Sequence, residues 1–368
     1  MRPGVTEVIS EGDRADKGHS GGDSPRTSGD GSSLGEDAHE PGPLWVVTGA
    51  GGFLGNNVAR QLLSRERHVR AAVFEDHVPP ALEGLDVEVV QMDVRNLDSV
   101  NAAFSAPSSE VWVVHCAGIV SIAGEVSAEI YDVNVTGVKN VLAACREQGV
   151  AKLVYVSSVH ALPVVEGTAV ELDAASDFNP EQLDGAYSRT KAEATALVLA
   201  ATDLWRVVVF PTGLLGPHDF ADTHLTRMVR DTASGALPMS VEGGYDFVDV
   251  RDVAAGIIRA AEIGTNGRTC VLSEQYVTVK RTVGAVANAV GRPTPPALPL
   301  WAARAVAPTA ERISALRGVA PTMTAYSLKV LGEPGLFSSR RAREELGYRA
   351  RPFRKTLRDT LEWVRRDG

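Results

Sequence analysis

The sequence predicts an α/β protein with a doubly wound parallel sheet and a smaller C-terminal α+β lobe. Three observations lead to this prediction. Apolar runs alternate with helix-like patterns from residue 44 to about 210, a glycine-rich turn follows the first run, and the alternation becomes irregular after Pro211. Strands that alternate with helices pair in parallel through right-handed crossovers, which buries the sheet on both faces.

Each element follows from a short apolar run or from a helical pattern. The strands are predicted near residues 44–48, 69–74, 87–92, 111–116, 152–157 and 205–210. Helices are predicted between them, near residues 53–65, 97–105, 128–148 and 186–202. Two more helices are expected near 223–234 and 252–263, before an apolar, proline-rich stretch at 293–308.

The glycine-rich turn is the first functional signal. Gly49, Gly52 and Gly55 have the spacing G-x-x-G-x-x-G between the apolar run 44–47 and a predicted helix. Glycine lets the backbone approach a ligand closely, and the free N–H groups of a helix N-terminus favour a pyrophosphate. Glycine turns also occur without a ligand, so the prediction depends on further features.

Two further features indicate proton transfer. Tyr187 and Lys191 lie four residues apart in a predicted helix and so share one face. A lysine beside a tyrosine lowers the cost of the phenolate, so Tyr187 can exchange a proton with a substrate oxygen. Ser157 and Ser158 follow the apolar strand 152–156, where a hydroxyl points into the crevice at the carboxyl ends of the strands.

Together, these motifs resemble the extended short-chain dehydrogenase/reductase superfamily, within its NAD-dependent epimerase/dehydratase family. Further segments match in order, at 91–95, 113–118, 134–137, 211–217 and 246–254. The runs 210–220 and 346–353 are similar to the dihydroflavonol 4-reductase-like and 3β-hydroxysteroid dehydrogenase-like branch. We therefore expect a dinucleotide-binding Rossmann domain over residues 44–210. Residues 211–368 are expected to form mainly a substrate-binding lobe, interleaved with the last sheet strands.

The resemblance implies hydride transfer between a nicotinamide and a secondary alcohol or ketone. It assigns the catalytic hydroxyl to the second serine, Ser158, which would bond the substrate oxygen. Tyr187 would exchange the proton, and Lys191 would bond the nicotinamide ribose and favour the phenolate. Substrate contacts are implied at Ser158, His160, Tyr187 and Thr212.

The resemblance also implies which residues bind the cofactor, with Asp93 against the adenine. They are Gly49, Gly51, Gly52, Phe53, Leu54, Gly55, Phe74, Glu75, Asp93, Val94, Cys116, Ala117, Gly118, Asn134, Tyr187, Lys191, Pro211 and Gly213. The branch often has an arginine where this chain has Phe74, and Glu75 and Asp76 would repel a 2′-phosphate. NAD is therefore favoured over NADP, although Arg70 could still reach round.

The apolar stretch 295–306 favours a hydrophobic, cyclic substrate that is steroid-, polyketide- or flavonoid-like. The same stretch could instead pack on the sheet or on a partner subunit, or contact a membrane through Trp301 and Arg304. A nucleotide-sugar epimerase is the alternative function, with Arg227 or Arg230 on the diphosphate. A sugar dehydratase is disfavoured because no acidic pair follows Ser158. A catalytically silent dinucleotide sensor is disfavoured because the Tyr-Lys pair is present.

Composition limits the partners. The net charge of −9 makes nucleic acid an unexpected partner. No uncharged apolar run reaches the roughly 20 residues of a membrane span, and no leader opens the chain, so we expect a cytoplasmic protein with a small-molecule substrate. Three cysteines without metal-like spacing predict no metal site. Residues 1–43 are rich in glycine, serine and acidic residues and are predicted to be a disordered tail. A homodimer is expected from the family.

Overall fold

The computed structural model has a central sheet whose strands run parallel. The structure describes residues 42–107, 109–121, 126–163, 178–307, 324–332 and 336–367, so all but the last two residues of the predicted tail lie outside the described part. The strands are β1 (Leu44–Thr48), β2 (Val69–Val73), β3 (Glu88–Gln91), β4 (Val111–His115), β5 (Lys152–Val156), β6 (Arg206–Pro211), β7 (Gly213–Leu215), β8 (Ser240–Val241), β9 (Gly244–Asp249), β10 (Thr269–Leu272), β11 (Gln275–Thr278) and β12 (Ala297–Leu298).

Helices cover both faces of this sheet. They are α1 (Phe53–Leu63), α2 (Leu97–Phe104), α3 (Ala128–Tyr131), α4 (Gly137–Glu147), α5 (Ala186–Ala200), α6 (His224–Ser234), α7 (Val250–Ile263), α8 (Val279–Ala289), α9 (300–307), α10 (Ala325–Gly332), α11 (Arg340–Leu346) and α12 (Phe353–Asp367). One π-helical turn, Asp132–Thr136, joins α3 to α4. The single helix predicted at 128–148 is therefore continuous but not uniformly wound. None of the described helices is long and apolar enough to cross a membrane.

The main sheet has the strand order β3-β2-β1-β4-β5-β6-β10. Every described pair in it is parallel, for example β1 with β2 through Val46 and Arg70. Alternate residues of β1 point to opposite faces: Val46 packs in the core beside α2, α4 and α5, whereas Val47 packs in the core beside α1 and α7. The predicted α/β class and doubly wound parallel sheet are confirmed. The order reverses between β1 and β4, where a ligand crevice forms in such sheets.

The later part of the chain adds two small sheets, β11-β9-β7 and β12-β8. β7 pairs with β9 in parallel, and β11 pairs with β9 antiparallel, so the lobe is mixed. A buried ion network ties it together. Asp249 caps α7 and accepts from Arg251, which also reaches Asp359 at 2.8 Å. Arg351 pairs with Asp252 at 2.6 Å.

Candidate active site

The glycine-rich turn is held tightly between β1 and β4. Gly49 has φ +65°, and a Cβ there would lie 2.8 Å from the Cα of Ala117. A Cβ on Gly55 would lie 2.2 Å from the Gly49 carbonyl oxygen, so α1 packs directly on the turn. Gly52 begins α1 without a side-chain cap, so no side chain satisfies the first-turn N–H groups from that position. An anion can therefore bind at this helix end.

The ends of β2 and β3 carry an arginine that the sequence analysis missed. Phe74 is 62% exposed, and the Arg95 guanidinium lies 5.3 Å from its ring centroid. The Arg95 guanidinium also donates to both oxygens of the Asp93 carboxylate, and these hydrogen bonds hold the Asp93 pKa below its usual value. Arg70, by contrast, pairs with Glu88 at 2.9 Å and does not reach round to this edge. Because β2 and β3 are adjacent only in the folded sheet, the Phe74–Arg95 contact could not be predicted from the order of residues.

The other predicted residues of this region lie beside the glycine turn. Glu75 approaches Gly51, whose Cβ would lie 3.7 Å from a Glu75 carboxylate oxygen. Val94 is buried below β3 and contacts Gly137. Phe53 and Leu54 are buried in the first turn of α1. The turn and the ends of β2 and β3 thus form one continuous edge.

The two serines after β5 point to different surroundings. The Ser157 hydroxyl lies 2.7 Å from the Thr195 hydroxyl, which in turn donates to the Lys191 carbonyl oxygen. Ser157 therefore bonds α5 and packs behind the site. The Ser158 hydroxyl accepts from the His160 N–H at 3.3 Å and forms a hydrogen bond that lowers the pKa of Tyr187. Only Ser158 of this pair interacts with the Tyr187 phenol.

Tyr187 and Lys191 lie on the first two turns of α5, and both are buried. Burial raises the pKa of Tyr187 to about 12, and the hydrogen bond from Ser158 only partly offsets it. Burial lowers the pKa of Lys191 to about 8. The Lys191 ammonium donates to the Val156 carbonyl oxygen at 2.8 Å. In this structure, then, Tyr187 is a neutral phenol at pH 7, and Lys191 is positioned by the end of β5.

The turn after β4 contacts Lys191 from the cofactor side. A Cβ on Gly118 would lie 3.6 Å from the Lys191 ammonium and 3.2 Å from Oδ1 of Asn134. Asn134, in the π-helical turn, bonds both the N–H and the carbonyl of Ile119. Burial raises the pKa of the Cys116 thiol to about 12, so this thiol stays protonated. Asn134 thus fixes the turn that follows Ala117 and Gly118.

A cavity of 190 Å³ is lined by Val159 and Ser188, the residues that follow Ser158 and Tyr187 in the chain. His160 and Thr212 both line it, and the ring centroids of His160 and Tyr187 are 6.0 Å apart. Burial lowers the pKa of His160 to about 4, so its imidazole is neutral. Pro211 ends β6 and Gly213 begins β7, so Thr212 faces the cavity between two strands.

Two other polar groups in the cavity wall were not predicted from the sequence. Burial raises the pKa of Asp246 to about 7, and Oδ1 of this carboxyl makes no hydrogen bond to a described residue. The Tyr326 hydroxyl lies 2.6 Å from the Ser188 hydroxyl and brings α10 against α5. Asp246 begins the segment 246–254 that resembles the family, but nothing in the sequence indicated that its carboxyl lines this cavity, and Tyr326 lies where the sequence pattern is irregular.

Two predictions for the lobe need correction. None of the described residues 293–307 lines the cavity, whose apolar wall comes instead from residues such as Val159, Leu183 and Phe337. Arg227 and Arg230 do not line it either, because both guanidiniums pair with Asp222. Within the described residues, no group of histidines, cysteines or carboxylates has the arrangement of a metal site.

Comparison with known proteins gives a consistent set of relatives. The family model described as "NAD dependent epimerase/dehydratase family" matches residues 45–273. Sterol demethylase protein B of Methylococcus capsulatus is 31% identical over 88% of this chain and 98% of its own length. A putative dihydroflavonol 4-reductase of Synechocystis is 29% identical over 88% and 95%. The crystal structure of gox2253 is 30% identical, with a TM-score of 0.75 over 89% of this chain and 98% of that one.

Proposed function

The chain belongs to the NAD-dependent epimerase/dehydratase family, and we propose that it interconverts a ketone and a secondary alcohol on a hydrophobic, cyclic substrate. Its assignment as an oxidoreductase of this family rests on the family match and on relatives named as reductases. The proposal of a hydrophobic ketone as substrate rests on one observation. Ser158 interacts with the Tyr187 phenol and lowers its pKa, next to a cavity whose wall includes the apolar side chains of Leu162, Leu183 and Phe337.

A nicotinamide dinucleotide fits the residues at the strand ends. Gly49 and Gly55 allow the tight turn, and the uncapped start of α1 would hold the pyrophosphate. Gly118, Asn134 and Lys191 would hold the nicotinamide riboside. When bound, the reduced cofactor supplies the hydride that reduces the carbonyl carbon.

NAD is the favoured form of the cofactor. Glu75 lies beside Gly51, where its carboxylate would repel a 2′-phosphate and could accept from ribose hydroxyls. Arg95 brings a positive charge to the same edge, but its guanidinium is paired with Asp93. The charges of Glu75, Asp93 and Arg95 therefore sum to −1, which favours a ribose without the phosphate.

The protonation states favour reduction of a ketone. A ketone oxygen becomes negatively charged as the hydride arrives, so the site must supply hydrogen-bond donors and a proton. With a pKa of about 12, Tyr187 holds its proton at pH 7 and donates it to that oxygen. The Ser158 hydroxyl is the second donor, and the Lys191 ammonium stabilises the phenolate that Tyr187 leaves behind.

The cavity supports an uncharged ketone over a nucleotide sugar. Its described polar lining includes the carboxyls of Asp184 and Asp246 but no arginine, and the Lys329 ammonium pairs with Asp184. A diphosphate needs unpaired cationic partners. Arg227 and Arg230, the residues considered for that role, pair with Asp222. The epimerase alternative therefore has less support than the reductase.

The test is turnover by the purified protein. NADH and NADPH would be offered separately with 5α-androstan-3-one and with a dihydroflavonol, and NAD⁺ would be offered with UDP-glucose, because an epimerase starts by oxidising the sugar. We expect NADH to be oxidised with at least one of the two hydrophobic ketones. Tyr187→Phe should lower kcat by about 10²–10⁴-fold, because the general acid is lost. Tyr131→Phe is the matched control, since the Tyr131 hydroxyl bonds Glu193 away from the site. Conversion of UDP-glucose to another sugar nucleotide without a net change in NAD⁺ would contradict the proposal.

A further inference from the structure

The Lys191 ammonium lies over the face of an aromatic ring. Its Nζ is 5.0 Å from the centroid of Tyr155, within the range in which a cation is attracted to the ring's negative face. Among the described residues, the Lys191 ammonium donates one hydrogen bond to a neutral oxygen, the Val156 carbonyl at 2.8 Å. Lys191 is 94% buried, so little of this attraction is lost to solvent. The carbonyl and the ring together replace water around the ammonium.

The charged and titratable groups around Lys191 offer it no carboxylate within the described residues. His115, from β4, has a pKa lowered to about 3 by burial and by Lys191, so it is neutral. Cys116 stays a protonated thiol. The two phenols, Tyr155 and Tyr187, are neutral because burial raises both pKa values. A buried ammonium without an anion is costly, so the ring face of Tyr155 matters more here than it would at a surface.

The Tyr155 ring is itself fixed. It is 1% exposed and stacks on the His115 ring, with centroids 5.8 Å apart and an interplanar angle of 22°. His115 Nδ1 lies 2.7 Å from the hydroxyl of Thr48, the residue just before the glycine-rich turn. The Ala117 N–H donates to the same hydroxyl at 3.2 Å. Contacts thus run from the cofactor turn through His115 and Tyr155 to Lys191.

We propose that Tyr155 is a positioning residue whose ring face keeps the Lys191 ammonium charged and holds it where it would contact the cofactor. The role of Lys191 toward the cofactor rests on the proposed function, but the effect of Tyr155 on Lys191 does not. The Tyr155 hydroxyl is buried without a hydrogen-bond partner among the described residues, so the ring face, not the hydroxyl, carries the effect.

The direct measurement is the titration of Lys191 in the cofactor-free protein. The chain has seven lysines, so protein labelled with ¹³C at the lysine ε-carbons gives few signals, and Lys191→Met identifies the one required. Tyr155→Phe keeps the ring, whereas 3,4,5-trifluorophenylalanine at position 155 keeps its shape but weakens its negative face. We expect the midpoint of the Lys191 titration to fall by about one pH unit from the first protein to the second.

Two further arms separate this effect from a structural one. The Lys152 ammonium lies 3.9 Å from the centroid of a different ring, Trp112. Its signal should therefore not change when Tyr155 is replaced, and it serves as the internal reference. NADH affinity would be measured by fluorescence over a range of pH. As pH rises, the affinity of the fluorinated protein should begin to fall at a correspondingly lower pH. An unchanged Lys191 midpoint would overturn the inference. A shift produced by Tyr155→Phe alone, with none on fluorination, would also overturn it, because it would assign the effect to the hydroxyl. Failure of NADH to bind any variant would count against the proposed function only.

Discussion

At the residue scale, hydrogen-bond partners distinguish groups that look alike in the sequence. Ser157 and Ser158 are neighbours, yet one bonds Thr195 in the core and the other bonds Tyr187. The sequence pointed to both hydroxyls, and the family resemblance selected Ser158. The raised pKa of Tyr187 is a different matter, because it comes mainly from burial and in part from the electrostatic effect of Tyr326, and both depend on the fold. Sequence spacing predicted the Tyr-Lys pair but not its electrostatics.

The carboxyl of Asp246 gives the molecule a pH-dependent stability. Burial raises its pKa to about 7, whereas an unfolded aspartate titrates near 4. Between these values the folded state holds a proton that the unfolded state has lost, so this group's contribution to stability is lost as pH rises from about 4 to about 7. Above that range the cost is constant.

We expect Asp246→Asn to be more stable than the parent at pH 8, by about 2–4 kcal/mol, because an amide removes the buried charge. The difference should shrink toward zero as pH falls to 4. Urea unfolding of the two proteins across that range measures it. A difference that does not vary with pH would show that the Asp246 carboxyl is not the titrating group.

At the scale of the element, continuous apolar runs that alternate with helical patterns made strands β1–β6 of the main sheet predictable. The predicted strands β1–β6 agree with the observed ones to within one residue at each end. The strands of the lobe have two to six residues, and their partners are distant, as in the pairing of Gly213 with Phe247. Most of these strands are too short to show an alternating pattern of apolar residues in the sequence, and their hydrogen bonds depend on tertiary contacts. The π-helical turn at Asp132–Thr136 likewise left no trace in the helical pattern.

The close contact between the glycine-rich turn and α1 requires that residue 55 has no side chain. Gly55→Ala should destabilise the protein by several kcal/mol and abolish NADH binding, because its Cβ would lie 2.2 Å from the Gly49 carbonyl oxygen. Gly284→Ala is the control, since its Cβ would meet nothing closer than 3.7 Å, and alanine favours a helix over glycine by about 1 kcal/mol. Thermal unfolding and NADH titration of both variants test the pair. Equal effects of the two substitutions would contradict this account of the turn.

At the scale of the whole molecule, the end of the chain is tied to the sheet. β10 pairs with β6, and α12 joins α7 through the ion network of Asp249, Arg251 and Asp359. The last strand of the Rossmann sheet therefore comes from the part of the chain that also builds the lobe. Composition and the broad alternation of elements predicted the class, but the residues that join lobe to sheet are charged and gave no apolar pattern to follow.

The Arg351–Asp252 pair tests how far this attachment stabilises the molecule. Asp252 is nearly buried, so Arg351→Ala leaves a carboxylate without its bidentate partner and should lower the free energy of unfolding by about 2 kcal/mol. Arg358→Ala, at an exposed arginine of the same region, should change it by less than about 1 kcal/mol. Urea unfolding measures both. If Arg351→Ala were as mild as its control, the ion network would not hold the lobe.

The most direct measurement of the central claim follows a deuterium atom from the cofactor to the product. Hydrophobic ketones that turn over would be reduced with NADH carrying deuterium at both positions of C4 of the nicotinamide. The account predicts one deuterium on the carbinol carbon of the product, with one NADH consumed per alcohol formed and with both lost in Tyr187→Phe. An alcohol without deuterium, or sugar conversion with no net NADH consumption, would contradict it.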